Sequence, residues 1–131
     1  MITYRSDPSA VVPSDLLPFF DPWPVAPGLD RRLAALRGAD LAVLAYDDDR
    51  LVGFATGLTD GALIGHLSLL EVVPSHRGRG IGSALVGALG TSFASLYGVD
   101  LCCDEDVAPF YERLGFSRVV GMVRRHPERL P

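Results

Sequence analysis

Residues His66–Leu96 read HLSLLEVVPSHRGRGIGSALVGALGTSFASL, and the fold follows from how this stretch divides. Leu67 to Val73 is an apolar, strand-like run broken by Pro74 and Ser75. Arg77-Gly78-Arg79-Gly80-Ile81-Gly82-Ser83 comes next. Ile81, Leu85, Leu89, Phe93 and Leu96 then recur at steps of four or three, which is one face of a helix. Gly98 reads as its stop. The segment is therefore strand, glycine-rich turn, helix. The first N–H groups of a helix lack intrahelical partners, and the helix dipole makes that end partly positive. Gly78, Gly80 and Gly82 remove β-carbons that would hold an anion off those groups, while Arg77 and Arg79 add forked cationic donors. This predicts a phosphate cradle. The plainer alternative, a tight connection with two solvated arginines, needs fewer glycines than are present.

Several phosphate ligands can be weighed against the same residues. A P-loop ends in Gly-Lys-Ser/Thr, and all twelve basic residues here are arginine. A dinucleotide fingerprint would run Gly78-x-Gly80-x-x-Gly, but position 83 is Ser, and Pro74 to Arg77 separate the strand from the glycines. Asp100 and Asp104 do lie about twenty residues on, where a ribose-binding acid would sit, so a nucleotide reading stays open.

Arg77-Gly78-Arg79-Gly80-Ile81-Gly82 also matches Arg/Gln-x-x-Gly-x-Gly/Ala and so resembles the pyrophosphate-binding signature of the GNAT superfamily of N-acetyltransferases. Phe110-Tyr111-Glu112-Arg113-Leu114-Gly115-Phe116 is similar to that family's C-terminal Phe-Tyr-x-(Lys/Arg)-x-Gly-Phe block. The two blocks stand in the family's order and span Leu67 to Val123. The resemblance implies an α/β (α+β) fold: a mixed central sheet of about six strands with flanking helices, strands 4 and 5 splayed apart.

The rest of the chain is compatible with that frame. Its 131 residues are expected to form one domain, residues 1–131. No apolar run approaches the roughly 18 residues of a membrane span, and the N-terminus lacks a basic-then-apolar leader pattern, so a cytoplasmic protein without a membrane partner is expected. A net charge of −4 argues against a nucleic-acid partner. Cys102 and Cys103 are adjacent in a predicted strand, too few for a metal cage and turned to opposite faces, so they read as small core residues and no metal is expected.

In order, Ile2–Arg5 alternates like a strand, and Ser14 can cap a short helix limited by Pro18. Prolines 18, 22, 24 and 27 make the aromatic stretch around Phe19, Phe20 and Trp23 irregular, either an acceptor-site loop or a patch over the core. Asp30–Arg37 reads as a helix. Leu41–Tyr46 and Leu51–Leu58 read as a hairpin turning at Asp47–Arg50, with Gly53 and Gly57 marking bulges. Thr59-Asp60-Gly61 turns into the central strand. After the long helix, Val99–Cys103 reads as a parallel strand, Asp104–Asp106 as the cap of a helix over Val107–Leu114, and Phe116–Arg125 as a last strand.

Acyl transfer from a thioester to an amine needs a held donor, a deprotonated amine, an oxyanion stabiliser and an acid for the leaving thiolate. Glu71 is the only acid in the run Leu67–Val73, and burial raises a carboxylate's pKa toward that of a useful base. It is the candidate general base, acting through a water; the alternative is a carboxylate that orients a cationic substrate. By resemblance, the backbone of Glu71, Val72 and Val73 pairs with the pantetheine arm of acetyl-CoA, the N–H of Val72 faces the thioester oxygen, and Arg77, Gly78, Arg79, Gly80, Ile81, Gly82 and Ser83 hold the pyrophosphate. Phe110 and Tyr111 match the donor-side block, with Tyr111 as general acid; the bland reading of Tyr111 is a packed aromatic. The family often has an asparagine seven residues before that tyrosine, bonded to the pantetheine arm; here Asp104 stands there as the cofactor-binding candidate. An ionised carboxylate accepts hydrogen bonds but cannot donate, so that contact is altered or lost, the alternative being that Asp104 faces the acceptor amine. The implied activity is acetyl transfer from acetyl-CoA to the amine of a small molecule or peptide, by a monomer or homodimer. The alternatives are an acyl-CoA-binding domain without turnover and a nucleotide-binding domain.

Overall fold

The computed structural model describes all residues, 1–131. Its centre is one five-stranded sheet in the order β1 (Ile2–Arg5), β2 (Leu41–Asp47), β3 (Arg50–Thr59), β4 (Ile64–Val72), β5 (Gly98–Asp100). The first four strands form an antiparallel meander and β5 is parallel to β4. Helix α2 (Ile81–Ser92) makes the crossover that a parallel neighbour requires and packs on β2, β3 and β4. Helix α1 (Leu29–Gly38) and the 3₁₀ turns Pro8–Ala10 and Pro13–Leu16 lie in the β1–β2 connection, and α3 (Ala108–Arg113) follows β5.

The periodic face of α2 is buried through Phe93, with Ile81, Leu85, Leu89 and Phe93 each at most 3% exposed. The helix ends at Ser92, however, so Leu96 lies beyond it and Gly98 opens β5 instead of stopping the helix. Gly53 and Gly57 answer to this helix. A Cβ on Gly57 would sit 2.6 Å from the Phe93 ring, and one on Gly53 would press on Leu85 and Ile81. Extra residues do fall beside both glycines, at Val52 and Ser68 in the registers, but the close approach of α2 is what excludes a side chain.

The sheet opens on one side. Parallel pairing of β4 with β5 ends at His66↔Asp100, while β4 runs on to Val72. From Leu67 onward one edge of β4 is without a strand partner, so the expected splay is present.

Several local expectations are corrected. Ser14 lies within a single 3₁₀ turn rather than capping an α-helix. β5 stops at Asp100, and Cys102 and Cys103 are exposed free thiols rather than core residues. Helix α3 is short and has no side-chain cap from Asp104–Asp106. Residues Phe116–Arg125 form no strand, which leaves five strands rather than about six. Alternation alone does not make a strand; a ladder partner is needed. Here the segment lines a cleft of about 990 Å³ together with β5, and residues 117–125 make no backbone hydrogen bond to any strand. No helix is long and apolar enough to cross a membrane.

Candidate active site

The side chain of Glu71 is aimed by a bulge. Thr56 faces Leu69 in the β3–β4 register and Gly57 faces Leu67, so Ser68 is the extra residue, with its hydroxyl 2.8 Å from that of Thr56. A bulge reverses the face on which later side chains emerge. Leu67 lies on the α2 side, whereas Glu71, paired with Phe54, emerges on the opposite side beside Phe19 and Phe20.

There Glu71 is 9% exposed, and its carboxyl group accepts the backbone N–H of Phe20 on Oε1 at 3.1 Å. Oε2 has no protein partner and is not sealed off. Burial pushes the Glu71 pKa up from its ordinary value; the Phe20 N–H bond and then the charges of Arg77 and Arg32 pull against that, while Asp21 adds to the rise. Phe20 has φ of +64°, a left-handed conformation uncommon for a bulky residue.

The backbone of β4 sorts its own groups. Val73 N–H donates to Val52 C=O at 2.9 Å, and the Val73 carbonyl accepts from His76 N–H at 3.0 Å. That bond makes Gly53↔Val72 a non-hydrogen-bonded pair of the antiparallel ladder, so Val72's own N–H and C=O point away from β3, toward the open edge. Leu70 shares this orientation, while the backbone of Glu71 is turned to Phe54. Of the three residues expected to offer backbone to a ligand arm, Val72 is thus the one turned to the splay; its carbonyl accepts from Arg77 Nε at 3.0 Å.

The glycine–arginine turn follows at once. Gly78 and Gly80 have φ of +75° and +81°, which L side chains rarely adopt, and the space a Cβ would occupy is open at both. Gly80 ends the turn, and the first N–H groups of α2, from Ile81, Gly82 and Ser83, follow it with no side-chain cap. Arg77 and Arg79 are exposed, and Arg79 donates to Ser75 C=O at 3.3 Å. The turn is anchored by His76, a residue the sequence reading did not single out. His76 is buried between Ser75 Oγ and Asp47 Oδ2, each 2.8 Å from a ring nitrogen. The Asp47 carboxylate is held below its usual range by His76 and by the N-terminal ammonium. No local motif announces this tie, because it joins residues far apart in the chain.

Helix α3 supplies the third part. The Phe110 ring lies 3.4 Å from where a Gly82 Cβ would be, and Phe110 meets Tyr111 edge to face. Tyr111 is 7% exposed, its hydroxyl has no protein partner, and it lines the large cleft with Leu67 of β4. Burial, and secondarily the Cys103 thiol, push its pKa up to about 12. Asp104 stands apart, exposed on the rim of that cleft, with only its carbonyl engaged, by Val107 N–H. No cluster of His, Cys, Asp and Glu suited to a metal ion is present.

The sequence profile of the Acetyltransferase (GNAT) domain matches residues 39–118. A glucosamine 6-phosphate N-acetyltransferase of Trypanosoma brucei brucei is 43% identical over 58 residues, 43% of this chain and 40% of that protein. A protein of unassigned function from Mycobacterium leprae (strain TN) is 36% identical over 123 residues, 83% of this chain and 32% of its own length. The chain therefore spans less than half of these two relatives. Among solved structures, a protein assigned as an acetyltransferase from Deinococcus radiodurans R1 superposes with a TM-score of 0.92 at 38% identity, over 98% of this chain and 91% of the other. A GNAT family protein of Streptococcus pneumoniae TIGR4 gives 0.79 at 27% identity, over 96% and 98%. With more than half of its length matched by the profile, and with the splay and glycine–arginine turn in place, this chain belongs to the GNAT family of acetyltransferases.

Proposed function

We propose that the protein transfers an acetyl group from acetyl-CoA to an amine by direct attack. One observation carries the reading: the free edge of β4 runs between a buried carboxylate with a raised pKa and a glycine–arginine turn opening on a helix N-terminus. The cofactor's pyrophosphate would lie on the N–H groups of Ile81, Gly82 and Ser83, over the open Gly78 and Gly80, flanked by Arg77 and Arg79. Val72, its N–H turned to the splay, is the oxyanion donor. Val73, whose N–H is spent on Val52, has a lesser part. Phe110 packs against the turn. Glu71 removes the amine proton, directly or through one water, by Oε2.

Tyr111, with a pKa of about 12, stays a phenol at every working pH. It stabilises the leaving thiolate by donating a hydrogen bond rather than by surrendering its proton completely. That same weak acidity favours a second reading, an acyl-CoA-binding domain with little turnover. Asp104, exposed on the rim of the cleft, lacks the amide donor that an asparagine would offer the pantetheine arm, so that contact is altered or lost. The acceptor is a small-molecule or peptide amine.

Calorimetric titration with acetyl-CoA, with NAD and ATP as controls, tests the donor site, and release of free thiol in an amine screen tests turnover. Selective acetyl-CoA binding with amine-dependent thiol release is expected. Binding without release would leave the non-catalytic reading, and preference for NAD would overturn both.

A further inference from the structure

The connection from Leu16 to Pro27 faces Glu71, yet it has few means of holding its shape. Its internal backbone bonds are Phe19 N–H to Leu16 C=O and Trp23 N–H to Phe20 C=O, each at 3.2 Å. Prolines 18, 22, 24 and 27 cannot donate. What closes the loop is one side chain from α1. Arg32 donates from Nε to Pro27 C=O at 2.8 Å and from Nη1 to Leu16 C=O at 2.9 Å and Phe19 C=O at 3.3 Å. Its guanidinium also lies over the Phe20 ring, 5.3 Å from the centroid. A single planar fork thus joins both ends of the loop to its middle, which an ammonium group could not do with the same geometry.

Phe20 is where that constraint is spent. Its ring is 4% exposed, between Phe54 and Trp23, and its backbone is held at φ +64°. A non-glycine residue keeps such a conformation only when its surroundings impose it. With that backbone, the Phe20 N–H reaches Glu71 Oε1.

We propose that Arg32 is a positioning residue for Glu71: by tying Leu16, Phe19 and Pro27 to one guanidinium it keeps Phe20 left-handed, aims the Phe20 N–H at Oε1, and leaves Oε2 free for the acceptor. The inference rests on the acetyl-transfer reading for its catalytic consequence, but the geometric link stands on its own. The charged groups that act on Glu71 are Arg77, Arg32 and Asp21. Any test must therefore separate the fork of Arg32 from its charge.

Arg32→Lys makes that separation. Titration of the Glu71 carboxyl carbon by NMR is tractable because the chain has only four glutamates, at 71, 105, 112 and 128. In Arg32→Lys the Glu71 midpoint moves up, because the charge is kept while the Phe20 N–H is released. Turnover falls about tenfold to a hundredfold, with the KM for acetyl-CoA within about twofold of wild type. A second pair separates positioning from packing. Phe20→Gly keeps the N–H and adopts positive φ freely, so the midpoint does not rise; the ring's removal uncovers the carboxyl and acts in the downward direction. Phe20→Val loses less apolar volume but disfavours positive φ, so the midpoint moves up.

A wild-type midpoint in Arg32→Lys overturns the proposal, since charge alone would then suffice. A larger upward shift in Phe20→Gly than in Phe20→Val also overturns it, since loss of the Phe20 N–H bond would then not follow the backbone conformation. Wild-type protein that binds no acetyl-CoA, with the expected NMR shifts in the variants, removes the function reading and leaves the positioning intact. Active wild type with no shifts in the variants does the reverse.

Discussion

The two banks of the splay are built in opposite ways. On the β4 bank, the groups that shape the site are buried and bonded: Glu71 to Phe20, His76 to Asp47 and Ser75, Val73 to Val52, and the aromatic loop to Arg32. On the β5 bank, a three-residue strand gives way to exposed cysteines, a six-residue helix and residues 117–125, which make no backbone–backbone hydrogen bond at all. The ties among charged side chains there, Arg118 with Glu105 and Glu112, are exposed. Such surface pairs contribute little to stability. The contrast teaches where constraint is concentrated. A carboxylate held off its ordinary pKa and an aromatic residue held at positive φ need surroundings that cannot relax. Tyr111 is buried too, and burial pushes its pKa up to about 12, but that shift only keeps a phenol protonated and requires no bonded partner.

The largest effects expected on function therefore belong to the β4 bank. Glu71→Gln should lower kcat by about 10²- to 10⁴-fold, the usual range for loss of a general base, with acetyl-CoA affinity unchanged by calorimetry. Tyr111→Phe should cost less, on the order of tenfold to a hundredfold, because only a hydrogen bond is lost. A Tyr111→Phe loss larger than that of Glu71→Gln would break the contrast and make α3 the dominant partner.

Packing sharpens the same comparison. Gly57→Ala places a Cβ 2.6 Å from the Phe93 ring, which is itself 3% exposed and cannot swing aside. The substitution should cost about 1–3 kcal/mol, read as a lower urea midpoint at unchanged slope.

How much of this was legible in the sequence depends on distance along the chain. The strand–turn–helix from Leu67 to Phe93 could be read because apolar spacing, proline breaks and glycines act locally, and the buried face of α2 matches that spacing. Glu71 stood out as the lone acid in an apolar run, although its face could not be deduced: the Ser68 bulge that turns it toward Phe20 has no local signature. Arg32 and His76 were illegible for a related reason, because each gains its meaning from partners on other elements. Phe116–Arg125 misled in the other direction. Its residues have strand propensity, but a strand needs a ladder with a neighbouring edge, and residues 117–125 line a cleft beside β5 without a backbone bond to it.

Acidity offers a subtler test. Burial raises the Glu71 pKa in the fold above the ordinary 4.5, so the native state holds that proton more tightly than the unfolded chain. Glu71 thus adds stability at low pH that is lost as pH rises through its folded value. Relative to Glu71→Gln, wild type should gain stability on acidification from neutral pH toward 4.5, and the variant should be equal or better at pH 7. The acid limb of kcat/KM should sit above 4.5 for the same reason. Parallel stability curves for the two proteins would mean that Glu71 is not held off its ordinary titration.

The smallest expected effect is on the opposite bank. Val120 is 94% exposed and Met122 is 93% exposed, in a segment whose backbone is bonded to nothing else in the chain. Removing an apolar side chain that is already in water forfeits no burial, so Val120→Ser should change the unfolding free energy by less than about 0.5 kcal/mol. Gly57→Ala, one β-carbon against α2, should exceed it several-fold under identical conditions. A Val120→Ser loss as large as that of Gly57→Ala would mean that this residue is covered in solution and that the β5 bank is as tightly built as the β4 bank, which is the one result that would erase the asymmetry between them.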